Sequence, residues 1–278
     1  MINQIFTAMS EWIPWMQYSF MRNALMAVLI LAPTFGILST MVVNNRMAFF
    51  SDSIGHSTLT GIGIGILLGL KSPLWSMILF AIIFSVFIVW VKNTNTISTD
   101  TIIGVFSSTA VALGLVILSK GGSFNKYSYL LIGDLLSITP SEIVLLAVAL
   151  ILVIIFWMFV FNALLVVSIN SSLAASRGKK VLLTEILFTV LVAIVVTLSI
   201  RWIGLLIINS LLILPGAAAR NISNNMRQYH IISVAIALIT GISGLVLSYY
   251  WGASTGASIT LLCAGVYFIT FAFRYRFA

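Results

Sequence analysis

Charge is scarce in this sequence. Of 278 residues only 7% are Asp, Glu, Lys or Arg, while 61% are hydrophobic. A water-soluble domain needs far more polar surface than this to cover its core, so a soluble protein is excluded and a polytopic membrane protein is expected. Cysteine is nearly absent. The single Cys263 lies in an apolar run, which rules out a disulfide framework or a zinc–cysteine site within one chain. Histidine occurs only at His56 and His230. No GxxxxGK[ST] loop is present to cradle a nucleotide phosphate, so energy for any work must come from a gradient or from another polypeptide. The first residues, MINQIFTAMSEWIPWMQYSF, lack a basic n-region and an Ala-x-Ala-type cleavage signal. Residues 1–19 are therefore expected to be an interfacial lead-in, with Trp12, Trp15 and Tyr18 at the lipid–water boundary.

What the sequence has in abundance is long apolar runs. Crossing the hydrocarbon core takes about 20 such residues. Nine runs qualify or nearly do: 22–44, 48–70, 73–92, 101–120, 141–166, 181–200, 202–219, 230–250 and 257–273. Only Arg201 and Trp202 separate the sixth from the seventh, so one of these is expected to be a shorter, re-entrant piece. The fold class is thus all-α, a bundle of eight to nine helices over residues 20–278 with no room for a soluble domain. Pro73 and Pro140 stand where helices begin, and Pro33 and Pro215 fall inside runs, where they should kink the helix.

The net charge of +8 arises from 14 Lys and Arg against 6 Asp and Glu, and the basic residues sit in loops between the runs. That placement points to orientation in a bilayer rather than to nucleic acid. With the N-terminus outside, Arg46, Lys92, Arg177, Lys179, Lys180, Arg220, Arg227, Arg274 and Arg276 lie on the cytoplasmic side. Arg22, Lys71, Lys120, Lys126 and Arg201 then lie outside, and the imbalance favours this arrangement.

The second run, FFSDSIGHSTLTGIGIGILLGL at residues 49–70, carries Asp52 and His56. At i and i+4 they share a helix face, about 6 Å apart along the axis. His56 falls roughly 13–14 Å into the span, where an ionisable group costs at least about 2.5–3.5 kcal/mol on insertion scales. Such groups face a pathway or a partner. Thr60 and Gly63 continue the stripe, and Ser53 and Ser57 stand beside it. Gly61, Gly65 and Gly69 recur every four residues on a second face suited to close helix packing. GIGIG lacks the GxGxxG spacing and setting of a dinucleotide fingerprint.

Two readings of the pair stand side by side. His56 could tie the bundle internally through Asp52 or a neighbouring carbonyl. Alternatively, a carboxylate oxygen and an imidazole nitrogen form part of a transient cation site, a donor set that suits Mn(II), Zn(II) or Fe(II) better than Ca(II) or Mg(II). Two copies related by a two-fold axis would supply two Asp and two His. Asp134 and Asn209 are further polar candidates for a pathway. Glu142 is expected to cap a helix start and Glu185 to be a solvated or ion-paired end residue. Ser107, Ser108, Thr109 and Ser210 could line a path or bond across helices. The loop SINSSLAASRGKK, 168–180, carries three positive charges and could form a short helix, as a positive-inside loop or as a docking element for a cytoplasmic motor.

These stretches together resemble the permease subunits of zinc/manganese/iron ABC importers. RMAFFSDSIGHSTLTGIGIGILLG matches that family's Asp–His signature. DTIIGVFSSTAVALGLVIL (100–118), LLIGDLLSITPSE (130–142), LLVVSINSSLAASRG (164–178) and IGLLIINSLLILPGAAAR (203–220) follow in register. The resemblance spans roughly residues 20–273 and implies a type II ABC importer-like permease in a prokaryotic cell membrane, with no catalytic residues of its own. It further implies a homodimer, a pair of cytoplasmic ATPases, an extracytoplasmic metal-binding protein, and Mn, Zn or Fe as transported cargo rather than a bound cofactor. Asp52 and His56 take the place of the family's intramembrane metal ligands. Ser172, Leu173, Ala174, Ala175, Arg177 and Gly178 fall in its ATPase-docking loop. Asn170 and Ser171 replace acidic residues common there, and Thr60 replaces a proline after the Asp–His signature, so a straighter helix is expected. Two rival readings are an ion- or proton-coupled secondary transporter, which would show inverted repeats, and an intramembrane serine protease built on GASTG at 252–256. The latter needs a histidine beside Ser254, and His230 belongs to the opposite end of its helix.

Overall fold

The computed structural model describes residues 14–70, 72–94, 98–120 and 135–274. It is all-helical over these residues. Ten α-helices follow in chain order: α1 (Ser19–Asn44), α2 (Ala48–Leu67), α3 (Leu74–Thr94), α4 (Thr99–Lys120), α5 (Pro140–Ile169), α6 (Ser171–Ser176), α7 (Val181–Ile203), α8 (Leu205–Arg220), α9 (Met226–Trp251) and α10 (Thr255–Phe273). Short 3₁₀ turns at Pro14–Gln17 and Leu135–Ser137 precede α1 and α5.

Seven helices are long and apolar enough to cross a membrane: α1, α3, α4, α5, α7, α9 and α10. The other two that traverse the bundle depart for different reasons. α2 has the length but is diluted by Asp52, His56 and its hydroxyls, whereas α8 is apolar but only 16 residues long. Together they bring the traversing elements to nine among the described residues, the larger of the two expected counts. The short piece expected near Arg201 is α8. The backbone stays helical through residues 201 and 202 and breaks instead at Gly204, whose φ of 79° is open to glycine but strained for a residue with a Cβ.

Helix ends follow local chemistry. Pro140 occupies the first position of α5, where its missing N–H costs nothing, and Thr139 with Glu142 closes a capping box, with the Thr139 N–H donating to Glu142 Oε2 at 2.8 Å. The capping role expected of Glu142 is thereby met. Pro33 and Pro215 lie inside helices that continue past them. Of the lead-in residues, Trp15 is buried against the bundle and Tyr18 is half exposed near Tyr249, while Trp12 lies outside the described residues.

Polar ties gather one set of helix ends. Asn44 donates to Ser168 (2.7 Å), Lys92 to Glu185 (3.0 Å) and Asn221 to Thr270 (3.3 Å), and His230 Nε2 lies 3.1 Å from Thr40 Oγ1. Arg46, Lys92, Arg177, Lys179, Lys180, Arg220, Arg227 and Arg274 all occur at or beside this end, the grouping expected of the cytoplasmic residues. Glu185 is ion-paired there, as anticipated.

Two helix groups form the interior. α1 packs on α5, α8 and α9, and α2 packs on α3, α4, α7 and α8; α8 touches both groups and also α10. The α1–α2 turn separates them. Arg46 takes a φ of 56°, and the N–H groups of Arg46 and Met47 donate back to the carbonyls of Val43 and Val42, so the chain leaves α1 sharply.

Candidate functional site

α2 is sheathed on nearly every side. Phe50, Ser51, Ser53, Ile54 and Gly55 are buried, as are residues 57–63. The glycine face meets α3, with Gly61 against the backbone of Met77 and Gly65 against Ser76. On the α4 side, Gly114 lets the two backbones touch. A Cβ there would stand 2.7 Å from the Thr60 nitrogen, closer than any side chain tolerates.

Within this sheath Asp52 and His56 form an opening. His56 keeps 39% of its side-chain surface exposed and Asp52 44%, although the residues on either side of each are buried. The stripe runs from exposed Phe49 at the start of α2 through Asp52 to His56 and ends where Leu59 and Thr60 meet α4. His56 Nε2 lies 3.5 Å from Asp52 Oδ1. A full N–H···O bond spans about 2.7–3.2 Å, so the two groups stand side by side without being locked together. Among the described residues no third His, Cys, Asp or Glu joins them into a metal-binding cluster.

The remaining pathway candidates separate. Asn209, on α8, is brought to the pair. Its Nδ2 donates to Asp52 Oδ1 at 2.7 Å, across 157 positions of sequence, while its Oδ1 is buried with no hydrogen-bond partner. Ser57 bonds to the Ile54 carbonyl of its own helix at 2.8 Å, and Thr60 donates to the Ala110 carbonyl of α4. Ser53 is buried, its hydroxyl without a partner. Asp134 lies outside the described residues. Thr109 bonds to its own helix, and Ser210 pairs with Thr260 at 2.9 Å, joining α8 to α10. Composition marks Asn209 as an amide inside an apolar run. Nothing local ties it to Asp52, because the pairing depends on how α2 and α8 meet.

The loop 168–180 contains the expected short helix, α6. Asn170 caps it by accepting from the Leu173 N–H at 3.0 Å, and Gly178, with φ of 71°, turns the chain toward α7. Ser172, Leu173, Ala175, Arg177 and Gly178 are exposed, whereas Ala174 is fully buried between α6 and its neighbours.

The other histidine is spent. His230 Nδ1 meets the Met226 carbonyl at 2.8 Å, Nε2 meets Thr40, and the ring is surrounded by Trp157, Phe161 and Tyr229. Ser254 stands just before α10. His230 lies in the second turn of α9, and the helix from there to Trp251 rises roughly 32 Å, so Ser254 and His230 form no dyad and the protease reading fails.

With seven helices long and apolar enough to cross a membrane among its described residues, the chain has the architecture of a multi-pass membrane protein. The chain matches the ABC 3 transport family over residues 17–274 and belongs to that family. It is 30% identical over 246 residues to the high-affinity zinc uptake system membrane protein ZnuB of Buchnera aphidicola subsp. Baizongia pistaciae, covering 88% of this chain and 94% of that one. It is 26% identical to the manganese import system permease protein ScaB of Streptococcus gordonii, covering 91% of each. In three dimensions it is similar to PsaBC from Streptococcus pneumoniae, solved in complex with Fab. The TM-score is 0.80 with 24% identity, over 98% of this chain and 95% of that one. The chain is accordingly a multi-pass permease of a prokaryotic cell membrane, and a secondary transporter is not favoured.

Proposed function

We propose that this chain is the membrane subunit of an ATP-driven importer for a divalent transition metal ion, Mn, Zn or Fe, and that Asp52 and His56 hold the ion in passage. The observation that carries this is the opening on α2. A carboxylate and an imidazole on an otherwise sheathed helix stand partly exposed and 3.5 Å apart. Facing lipid, such a pair costs several kcal/mol. Facing the same opening on a second copy of the chain, it is covered and supplies two oxygen and two nitrogen donors, a set that suits a borderline dication. A homodimer thus resolves the cost and completes the site in one step. Weak binding is suited to a conduit, because the ion must leave again.

The relatives named for zinc and manganese uptake support the class of cargo and not the choice within it. The chain carries no phosphate-binding loop. Hydrolysis is assigned to a separate pair of ATPases seated beneath α6, and delivery of the ion to an extracytoplasmic binding protein. Ser172, Leu173, Ala175 and Arg177 form the exposed face offered to the ATPase, and Ala174 and Gly178 hold that face in position.

The test is uptake of Mn(II) and Zn(II) into vesicles containing the reconstituted permease, ATPase and binding protein. The Asp52→Ala/His56→Ala complex should assemble and insert normally and transport neither ion. Normal transport by that variant would remove the site.

A further inference from the structure

We infer that Asn209 is a further ligand of the same ion site. Its side-chain amide rests with N–H toward Asp52 and turns its carbonyl oxygen toward the ion when a dication arrives. This inference rests on the reading of Asp52 and His56 as ion ligands.

Geometry comes first. Around Asp52 Oδ1 stand two heavy atoms, Asn209 Nδ2 at 2.7 Å and His56 Nε2 at 3.5 Å. Donor atoms that share a four-coordinate ion with bonds of about 2.0–2.1 Å lie about 3.3–3.4 Å apart. Asp52 and His56, both from α2, are thus already near the spacing of a common coordination shell, and Asn209, from α8, stands about 0.6 Å closer to Asp52 than that spacing, within reach of the same ion.

The amide's own surroundings then indicate its preferred orientation. Asn209 Oδ1 is buried and has no donor. Inside a helical bundle the backbone N–H groups are taken by i−4 carbonyls, whereas those carbonyls keep a second lone pair. A buried amide N–H therefore finds an acceptor more easily than a buried amide oxygen finds a donor. By its packing alone, Asn209 would turn its NH₂ inward and its oxygen toward the opening. The orientation observed is the reverse. The carboxylate of Asp52 holds it there, since a charged acceptor makes the stronger bond and a carbonyl facing it would be repelled. A dication at Asp52 removes that hold. The amide then rotates by a half-turn about its last side-chain bond, exchanging two atoms of nearly equal size. The carbonyl dipole faces the cation and the orphan oxygen leaves the packed side. On release of the ion the carboxylate draws the N–H back, so the empty site closes on itself without an acidic residue being added to it.

The experiment uses the nucleotide-free permease–ATPase complex in lipid nanodiscs. Equilibrium titrations with Mn(II) and with Zn(II) are read beside uptake kinetics in vesicles. Asn209→Leu keeps the volume and removes both polar atoms. It should weaken metal binding about tenfold or more, the loss typical of a group supporting a metal ligand, and raise the half-saturating concentration while changing the maximal rate little. Asn209→Asp, of equal size, should do the opposite, binding the ion more tightly and slowing its turnover. Thermal unfolding of both variants should stay close to that of the parent. If both variants bind and transport as the parent does while Asp52→Ala abolishes binding, Asn209 is packing only and the inference falls although the site stands. Equal losses in both variants would also overturn it, by showing a structural role. Normal binding by Asp52→Ala would remove the site reading itself.

Discussion

The two histidines of this chain lie in different helices and have opposite fates. His230 has a partner on each ring nitrogen and an aromatic wall on three sides. His56 has one loose neighbour, Asp52, and an open flank. Both residues cost the protein something to place in a packed helical bundle, and only the first recovers that cost within a single chain. The difference shows how to separate a bundle tie from a working site. In a membrane interior what matters is whether the polar atoms are used up, because a group left partly unpaired there has a partner still to come.

The largest effect should come from the open histidine. His56→Ala should reduce metal uptake to background with the complex intact by gel filtration, and Asp52→Ala should match it. His230→Ala should leave uptake per folded complex near the parent value. Loss of uptake with His230→Ala at unchanged stability would break the comparison outright.

The same contrast recurs at α6, with a smaller expected effect. Ala175 is exposed and Ala174 is fully buried. Ala175→Glu should leave the permease folded but uncouple ATP hydrolysis from uptake, seen as ATPase activity that no longer responds to metal and binding protein. Ala174→Glu places a charge in a closed contact and should lower the yield of assembled permease instead. Equal behaviour of the two variants would mean that α6 is not the docking element.

Much of this architecture is legible along the chain. Each of the nine apolar runs corresponds to a helix, and seven of these are long and apolar enough to cross a membrane, because the bilayer demands an unbroken run from each span. Asp52 and His56 stand out because ionisable residues in such runs are rare. What the sequence could not show are pairings set by the meeting of distant helices. Thr60 reads as a continuation of the Asp–His stripe, yet its hydroxyl is taken by the Ala110 carbonyl because Gly114 lets α4 come so close. Asn209 reads as one polar residue among several, and only the approach of α8 to α2 selects it. Trp15 reads as a boundary aromatic, and packing draws it in. The helix break after α7 falls at Gly204 rather than at the polar pair before it, since a positive φ governs there and polarity does not.

His230 itself supplies the next test. Replacing it with alanine removes two hydrogen bonds and a ring packed against three aromatic side chains. A loss of about 2–4 kcal/mol is expected from truncating a buried, hydrogen-bonded ring. Thermal unfolding in detergent would measure it, with His56→Ala as the companion. His56→Ala should be within about 1 kcal/mol of the parent, because it breaks no well-formed bond. Equal destabilisation by the two substitutions would mean that His56 supports the fold as strongly as His230 does.

The smallest effect belongs to the Lys92–Glu185 pair, which lies between open and spent. The ions are 3.0 Å apart, with 24% and 14% of their side-chain surfaces exposed, and the Asn93 amide also donates to Glu185 at 2.9 Å. Because the pair sits at the end of α3 and within the first turns of α7, water reaches it, and an exposed pair contributes only about 0–1 kcal/mol. Glu185→Gln keeps the bond to Asn93 and loses only the charge, so its cost should fall within that range. Lys92→Met with Glu185→Leu removes both charges together and should be nearly neutral. A double-substitution cycle on thermal stability, run at low and high salt, would check this. A coupling that is small and screened by salt places the pair in water. A coupling of about 3 kcal/mol or more that ignores salt would place it in the dry interior, and α7 would then begin deeper in the membrane than its sequence suggests.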